Sequence, residues 1–459
     1  MTKTDRTALF YASVIALGGF LFGFDAVVIS GVVPFITPEF GLNEWWVGAV
    51  VSAPSFAAIA AALTVGPVAD YVGRKRVMIV LALLYTISAV ASAFAPDAAT
   101  LVIARLIGGF AFGTLMLAPI YIAEIAPARL RGRMVSVNQF NIVIGFSAAY
   151  FANYYILQLS QSGSAFATTL GLDTHTWRWM LGLEALPAVL YFLFMLFVPE
   201  SPRWLVLQGH EKQARAIMRR IVPATQIDEL LACIHDSVQE ATSNLLDKIR
   251  DMFRPELRLV MVVGVIAAIA QQSSGINAVY FYAPTIFEES GVGTNAAFAQ
   301  ATYIGVVNVV FTIAAILLID RLGRRPLMLT GLVGIAISMF LSAWGFHIDS
   351  SEVVLAGILG FVASFAFSLG PVMWVLFSEI FPNRIRGVCM AFVGIINSGV
   401  SWFIQFIFPV ELARLGPAMS MIIFGITAVV FVVLLAWLMP ETRGFSLEEL
   451  EKKLAVTRE

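Results

Sequence analysis

The heptapeptide DYVGRKR (residues 70–76) returns as DRLGRRP (320–326), an offset of 250 residues. Two more stretches repeat in the same order. EIAPARLRG (124–132) returns as EIFPNRIRG (379–387), offset by 255, and PESPR (199–203) as PETRG (440–444), offset by 241. Members of each pair follow equivalent apolar runs: the second and eighth, the fourth and tenth, the sixth and twelfth. Three motifs recurring in order at near-constant spacing mark an internal duplication. The chain therefore reads as two parallel halves of six apolar segments each. Parallel repeats of this kind place a binding site between the halves, near the middle of a membrane.

Composition supports the membrane reading. Of 459 residues, 59% are hydrophobic and 13% charged, and the mean hydropathy is +0.85. A water-soluble domain of this length could not hide so much apolar surface. A spanning helix needs roughly 20 apolar residues. Twelve such runs are expected: 8–33, 45–69, 77–95, 101–123, 134–158, 178–198, 258–287, 297–319, 326–346, 353–377, 388–409 and 417–439. The N-terminal run is longer than a signal-peptide core of roughly 7–15 residues and lacks a clear cleavage site, so it reads as a retained first span. The expected fold class is thus an all-α membrane protein of twelve transmembrane helices in two six-helix bundles.

Loops on one side hold Arg74, Lys75, Arg76, Arg129, Arg131, Arg133, the basic 203–258 segment, Arg321, Arg324, Arg325, Arg384 and Arg386. Loops on the other side hold a single basic residue, Arg414. The positive-inside tendency then makes both termini of a multi-pass cell-membrane protein cytoplasmic. Expected domains are an N-terminal bundle (1–198), a cytoplasmic helical linker (199–257), a C-terminal bundle (258–440) and a tail helix (441–459). In the tail, Ser446 and Glu449 have capping-box spacing. Net charge is −1, with no basic block to recruit nucleic acid. Cys233 and Cys389 form no metal or disulfide pattern, and the histidines at 175, 210, 235 and 347 fall in or near polar segments. No cofactor or metal is expected, and the chain is expected to work as a monomer in the lipid bilayer.

Within GGFLFGFDAVVISG (18–31) stands a lone acid, Asp25. Arg105 is the lone charge inside the fourth span, and helix rise puts the two within roughly 6 Å in depth. An unpaired charge in a membrane costs at least roughly 2.5–3.5 kcal/mol on insertion scales, so such groups pair or line a water path. Two readings fit: a permanent salt bridge that holds two helices, or a proton site. In the second, lost water favours the neutral acid, a close guanidinium favours the carboxylate, and movement of the halves alters the balance.

The set GRK/GRR, PESPRWL, QQSSGIN, SEIFPNRIRG and PETRG, each in its expected place, resembles the sugar porter family of the major facilitator superfamily. FGFDAVVISG is most similar to bacterial proton-coupled sugar symporters of the xylose type; animal facilitative transporters typically carry Asn at the position of Asp25. The resemblance implies proton coupling by Asp25 and Arg105. A sugar site needs neutral amides that donate and accept, with an aromatic plate. Candidates are Gln139, Gln271, Gln272, Asn277, Asn308 and Trp374, which match the family's substrate positions, together with Asn397 and Phe22. Amides can equally glue helices to one another. Gly275 and Pro284 weaken the seventh span, and GPVMW (370–374) the tenth, where gates are expected to bend. Tyr280, Phe281 and Tyr282 fit an outer gate or ordinary packing.

Three positions depart from the xylose-type pattern: Phe146 replaces a second Gln, Ser398 follows Asn397 where Trp is common, and Phe281 replaces a Tyr. The solute could therefore be another monosaccharide, a polyol or a cyclitol. The resemblance also implies a cytoplasmic charge latch from Arg74, Glu124, Arg131 and Glu200 in one half and Asp320, Arg324, Glu379 and Arg386 in the other. These charges also serve topology. The function expected is proton-coupled import of a pentose- or hexose-like sugar by alternating access, with a facilitative sugar, polyol or cyclitol uniporter as the alternative. A non-transporting nutrient sensor would carry a longer tail, and no nucleophile–base pair or P-loop suggests an enzyme.

Overall fold

The computed structural model describes residues 3–240, 245–382, 385–439 and 441. The tail helix expected over 441–459, with Ser446 and Glu449, lies outside the described residues beyond Glu441, as does the side chain of Asp320.

The first three spans are continuous helices, Lys3–Glu39, Glu44–Val72 and Arg74–Ala93. The fourth is broken into Ala98–Ala111 and Thr114–Ile125, and the fifth is Arg131–Gln161. The sixth divides at Glu184 into Thr176–Leu183 and Ala185–Met195. Pro187, three residues further on, cannot donate to the carbonyl of Leu183, which loosens the helix there. Short helices follow at Pro202–Leu207, Glu211–Ile221, Ile227–Glu240 and Leu245–Met252. The second of these buries Ala214, Met218 and Ile221, a stripe at helical spacing.

In the second half, the seventh span is Arg258–Ser273 and Ile276–Glu289. The eighth and ninth are Thr294–Leu322 and Arg324–His347, and the tenth is Ser351–Phe367 with Leu369–Ile380. Among the described residues, eleven helical stretches are long and apolar enough to cross a membrane, against the twelve expected. The last, Arg386–Leu438, has 53 residues. At 1.5 Å per residue it would run about 80 Å, far beyond a hydrocarbon core of about 30 Å. It bends at Gly416, whose φ of 80° and ψ of 164° are non-helical, with Pro417 next. Two spans are therefore joined by a helical corner where 410–416 reads as a loop.

The first span is the most enclosed, with 78% of its apolar window buried, against 28% for the last helix. It is a central element rather than a lipid-facing one. The apolar core divides in an informative way. Far-end parts of the first half (Val27–Ile36, Val50, Tyr150, Trp177) share one cluster with the second half. Parts of the first half near the arginine-rich basic end (Ile15, Leu81, Tyr121, Met195) form a separate cluster with the linker helices. Among the described residues, four side-chain hydrogen bonds join the halves, all in the far-end part of the spans. They are Ser55 Oγ to Gln405 Oε1 (2.8 Å), Ser147 Oγ to Gly305 O (2.7 Å), Tyr150 OH to Tyr280 O (2.7 Å) and Gln158 Nε2 to Asn295 Oδ1 (3.3 Å). The halves meet at the far end and part toward the basic end.

Prolines prepare one of these contacts and two more between spans of the same half. A proline has no N–H for the carbonyl four residues back and its ring crowds that oxygen. Pro54, Pro284 and Pro409 thereby free the carbonyls of Val50, Tyr280 and Gln405. Each is taken by a side chain from another span: Arg105 Nε at 3.1 Å, Tyr150 OH at 2.7 Å and Tyr282 OH at 2.9 Å.

Candidate functional site

Asp25 and Arg105 are each 2% exposed, and Asp25 Oδ1 accepts from Arg105 Nη1 at 3.2 Å. Arg105 is held from a second direction by the freed Val50 carbonyl, so the pair ties the first, second and fourth spans. Asp25 Oδ2 is buried and accepts no hydrogen bond among the described residues. Space around it is tight. A Cβ at Gly108 would lie 2.9 Å from Asp25 Oδ2 and 2.4 Å from Ser88 Oγ, so only glycine fits. Glu184, at the break in the sixth span, is 3% exposed with Oε1 unpartnered, and it lies within electrostatic reach of both Asp25 and Arg105. The sequence reading did not weigh Glu184, although an acid inside an apolar run, close to Pro187, was a usable signal.

The second half supplies a wall of amides. Gln271 Nε2 donates to Leu369 O (3.0 Å), just past the tenth-span break at Ser368. Gln271 Oε1 accepts from Gln272 Nε2 (3.1 Å) and Asn397 Nδ2 (2.9 Å), and Asn397 Oδ1 accepts from Gln272 Nε2 (3.0 Å). Asn277 Nδ2 donates to Gln272 Oε1 and to Ser401 Oγ, both at 2.6 Å. Gly275 shapes this wall: its φ of 89° lies in the left-handed region, which turns Asn277 back over Gln272. The seventh span bends again at Tyr282 (φ −126°, ψ 19°), two residues before Pro284.

Asn308 is buried in the eighth span, but among the described residues it bonds to none of these amides. It lies one turn from Gly305, on the side facing the first half. From that half come Phe22 and Phe146, with ring centroids 6.2 Å apart, and Phe146 meets Tyr280 at 5.2 Å. Gln139, seven residues before Phe146, shares its helical face about 10 Å closer to the basic end, and it is exposed where the halves part. Trp374 is 42% exposed, its ring edge-on to Phe377 at 5.8 Å. The structure thus joins Gln271, Gln272, Asn277 and Asn397 directly. It leaves Gln139, Asn308, Phe22 and Trp374 as separate walls.

At the basic end the repeat is visible as geometry. Arg74 bonds Glu124 (3.1 Å) as Arg324 bonds Glu379 (2.7 Å). Glu200 accepts from the Lys75 amide (3.1 Å) as Glu441 does from the Arg325 amide (3.2 Å). Each of these pairs stays within one half. Arg131 is exposed, and Arg386 Nε donates to Phe381 O at 3.3 Å. At the far end, Arg178 bonds Glu39 (3.4 Å) and adds a second basic residue to a side read as holding only Arg414.

The family model described as "Sugar (and other) transporter" matches residues 11–454. The chain is 38% identical over 440 residues to a Bacillus subtilis (strain 168) protein named arabinose-proton symporter, covering 95% of this chain and 92% of that one. It is 36% identical over 489 residues to the D-xylose-proton symporter of Escherichia coli (strain K12), covering 98% and 96%. The partially occluded, inward-open structure of the xylose transporter XylE from E. coli superposes with a TM-score of 0.84 at 34% identity, over 96% of this chain and 100% of that one. Two duplicated six-span halves, parted at one end around a buried charge pair and an amide wall, are thus matched over nearly the whole length by family, sequence and fold, and the chain belongs to the sugar (and other) transporter family of multi-pass membrane proteins.

Proposed function

We propose that this protein is a proton-coupled symporter importing a pentose- or hexose-like monosaccharide by alternating access. The observation that carries this reading is the buried Asp25–Arg105 contact at 3.2 Å, in a chain whose relatives are named for proton symport of arabinose and xylose. Bilayer placement follows the family. The basic end, with both termini, faces the cytoplasm by the distribution of Lys and Arg. In this arrangement the domains are the bundles 1–198 and 258–440, with 199–257 as linker and 441–459 as tail.

Protonation at Asp25 Oδ2 neutralises one member of the pair and weakens its hold on Arg105. The fourth span is then free to shift relative to the first and second, which changes the packing of the first half against the other. Gln271, Gln272, Asn277 and Asn397 offer both donors and acceptors to sugar hydroxyls, while Gln139, Asn308, Phe22 and Trp374 close the remaining sides. The clusters at Arg74, Glu124, Arg131 and Glu200, and at Asp320, Arg324, Glu379 and Arg386, would meet across the halves when the basic end closes. A few kcal/mol in total suffices to bias a balanced equilibrium.

Purified protein in liposomes with an imposed pH gradient tests the reading against labelled L-arabinose, D-xylose, D-glucose and myo-inositol. Uphill accumulation of a sugar that collapses with a protonophore is expected. Downhill flux without accumulation would instead make the protein a facilitator, with the ion pair tying helices only.

A further inference from the structure

Beyond the amide wall, the hydrogen bonds continue in one unbroken chain. Ser401 Oγ, which accepts from Asn277 Nδ2 at 2.6 Å, also accepts from Gln405 Nε2 at 2.8 Å, one helical turn along the eleventh span. Gln405 Oε1 in turn accepts from Ser55 Oγ at 2.8 Å, across the divide in the second span. Ser55 stands eleven residues from Glu44 and Gln405 eleven residues before the Gly416 corner, so both lie about 16 Å from the far end. Gln405 is 1% exposed, and its carbonyl, freed by Pro409, receives Tyr282 OH at 2.9 Å, at the second bend of the seventh span. One buried residue therefore touches the opposite half and, through Ser401, the amides with its side chain, and the bend of the seventh span with its backbone carbonyl.

We infer that Gln405 is a positioning residue that couples occupation of the Asn277–Gln272 amides to opening of the far end. The inference rests on the transport reading above. Its physical basis is competition. Asn277 Nδ2 divides its protons between Gln272 and Ser401, so a ligand hydroxyl that draws the Asn277 amide away strips Ser401 of one donor. The Ser401 hydroxyl, with one proton and two lone pairs, then turns relative to Gln405. Gln405 Oε1 gives up Ser55, and the far-end contact between halves loosens. A buried network of this kind is cooperative, because each member orients the next.

The test uses the full chain with Cys233→Ser and spin labels at Glu44→Cys and Thr294→Cys, two exposed far-end positions in opposite halves. The inter-label distance is measured in lipid with and without whichever of L-arabinose, D-xylose or D-glucose the unmutated protein takes up. Ser55→Val, which loses the hydroxyl but keeps the shape of Thr, should raise the long-distance population about fivefold without sugar, the effect of one ordinary hydrogen bond. Ser55→Thr should restore it. Gln405→Leu should act as Ser55→Val does. Ser401→Ala, which removes the acceptor of Gln405 Nε2, should raise the sugar-free long-distance population toward that of Ser55→Val and lose at least half of the sugar-induced shift. Normal uptake with a full sugar-induced shift in Ser401→Ala, or Ser55→Val indistinguishable from Ser55→Thr, overturns the inference. Absence of uptake of all three sugars by the parent would overturn the transport reading instead.

Discussion

Asp25 sits where no ordinary packing argument would put a carboxylate, and its environment leaves almost no slack. The Gly108 backbone supplies one wall, because any Cβ there would lie 2.9 Å from Asp25 Oδ2. Gly108→Ala should therefore displace Asp25 from Arg105 and lower pH-driven uptake about tenfold, the scale of one charge-assisted hydrogen bond. Equilibrium exchange of labelled sugar should fall less. Adding Ser88→Gly, which removes the nearest clash at 2.4 Å, should recover part of the loss. Paired initial-rate measurements of uptake and exchange check both outcomes. Asp25 and Arg105 were legible in the sequence because each is the sole charge in its span. Glu184 is likewise an acid inside an apolar run, although its span also begins with Arg178. Ser55 and Ser401 carried no such signal, and Gln405, an amide in an apolar run like Gln271, gave no sign of its partner 350 residues away.

At the scale of single elements, proline and glycine explain most departures from straight helices. Gly275→Ala would place a side chain at φ 89° and a Cβ 2.7 Å from the Phe424 ring. The backbone alone costs about 1–2 kcal/mol, so thermal denaturation in detergent should show a clear loss of stability. Tyr150→Phe leaves the fifth span intact but removes the donor to the carbonyl that Pro284 frees. It should shift the halves toward a separated far end about fivefold, read from the same inter-label distances. Breaks in the seventh and tenth spans were legible from Gly275, Pro284 and GPVMW. The break in the fourth span and the joined eleventh and twelfth spans were not. Twelve apolar runs fix how often the chain crosses, but a connection such as 410–416 folds as helix when its residues favour helix and no turn chemistry intervenes before Gly416.

For the whole molecule, duplication predicted two comparable halves, and the arginine clusters display it bond for bond. Periodicity could not say which way the halves lean, because that depends on contacts between them. Those contacts gather at the far end, where Gly48 packs so closely on the Phe406 carbonyl that a Cβ would lie 2.1 Å from its oxygen. Gly48→Ala should pry the far end apart and favour the opposite-facing state. Slower labelling of a cysteine placed at the exposed Gln139, as the basic end closes, is the expected readout.

The account depends most on Asp25 carrying the proton that moves with the sugar. Liposomes loaded with a pH-sensitive dye measure this directly when a sugar pulse is added without any imposed gradient. The intact protein should acidify the interior in proportion to the sugar entering. Asp25→Asn should exchange labelled sugar at a measurable rate while leaving the interior pH unchanged. Acidification by Asp25→Asn at the same proton-to-sugar ratio would contradict the account.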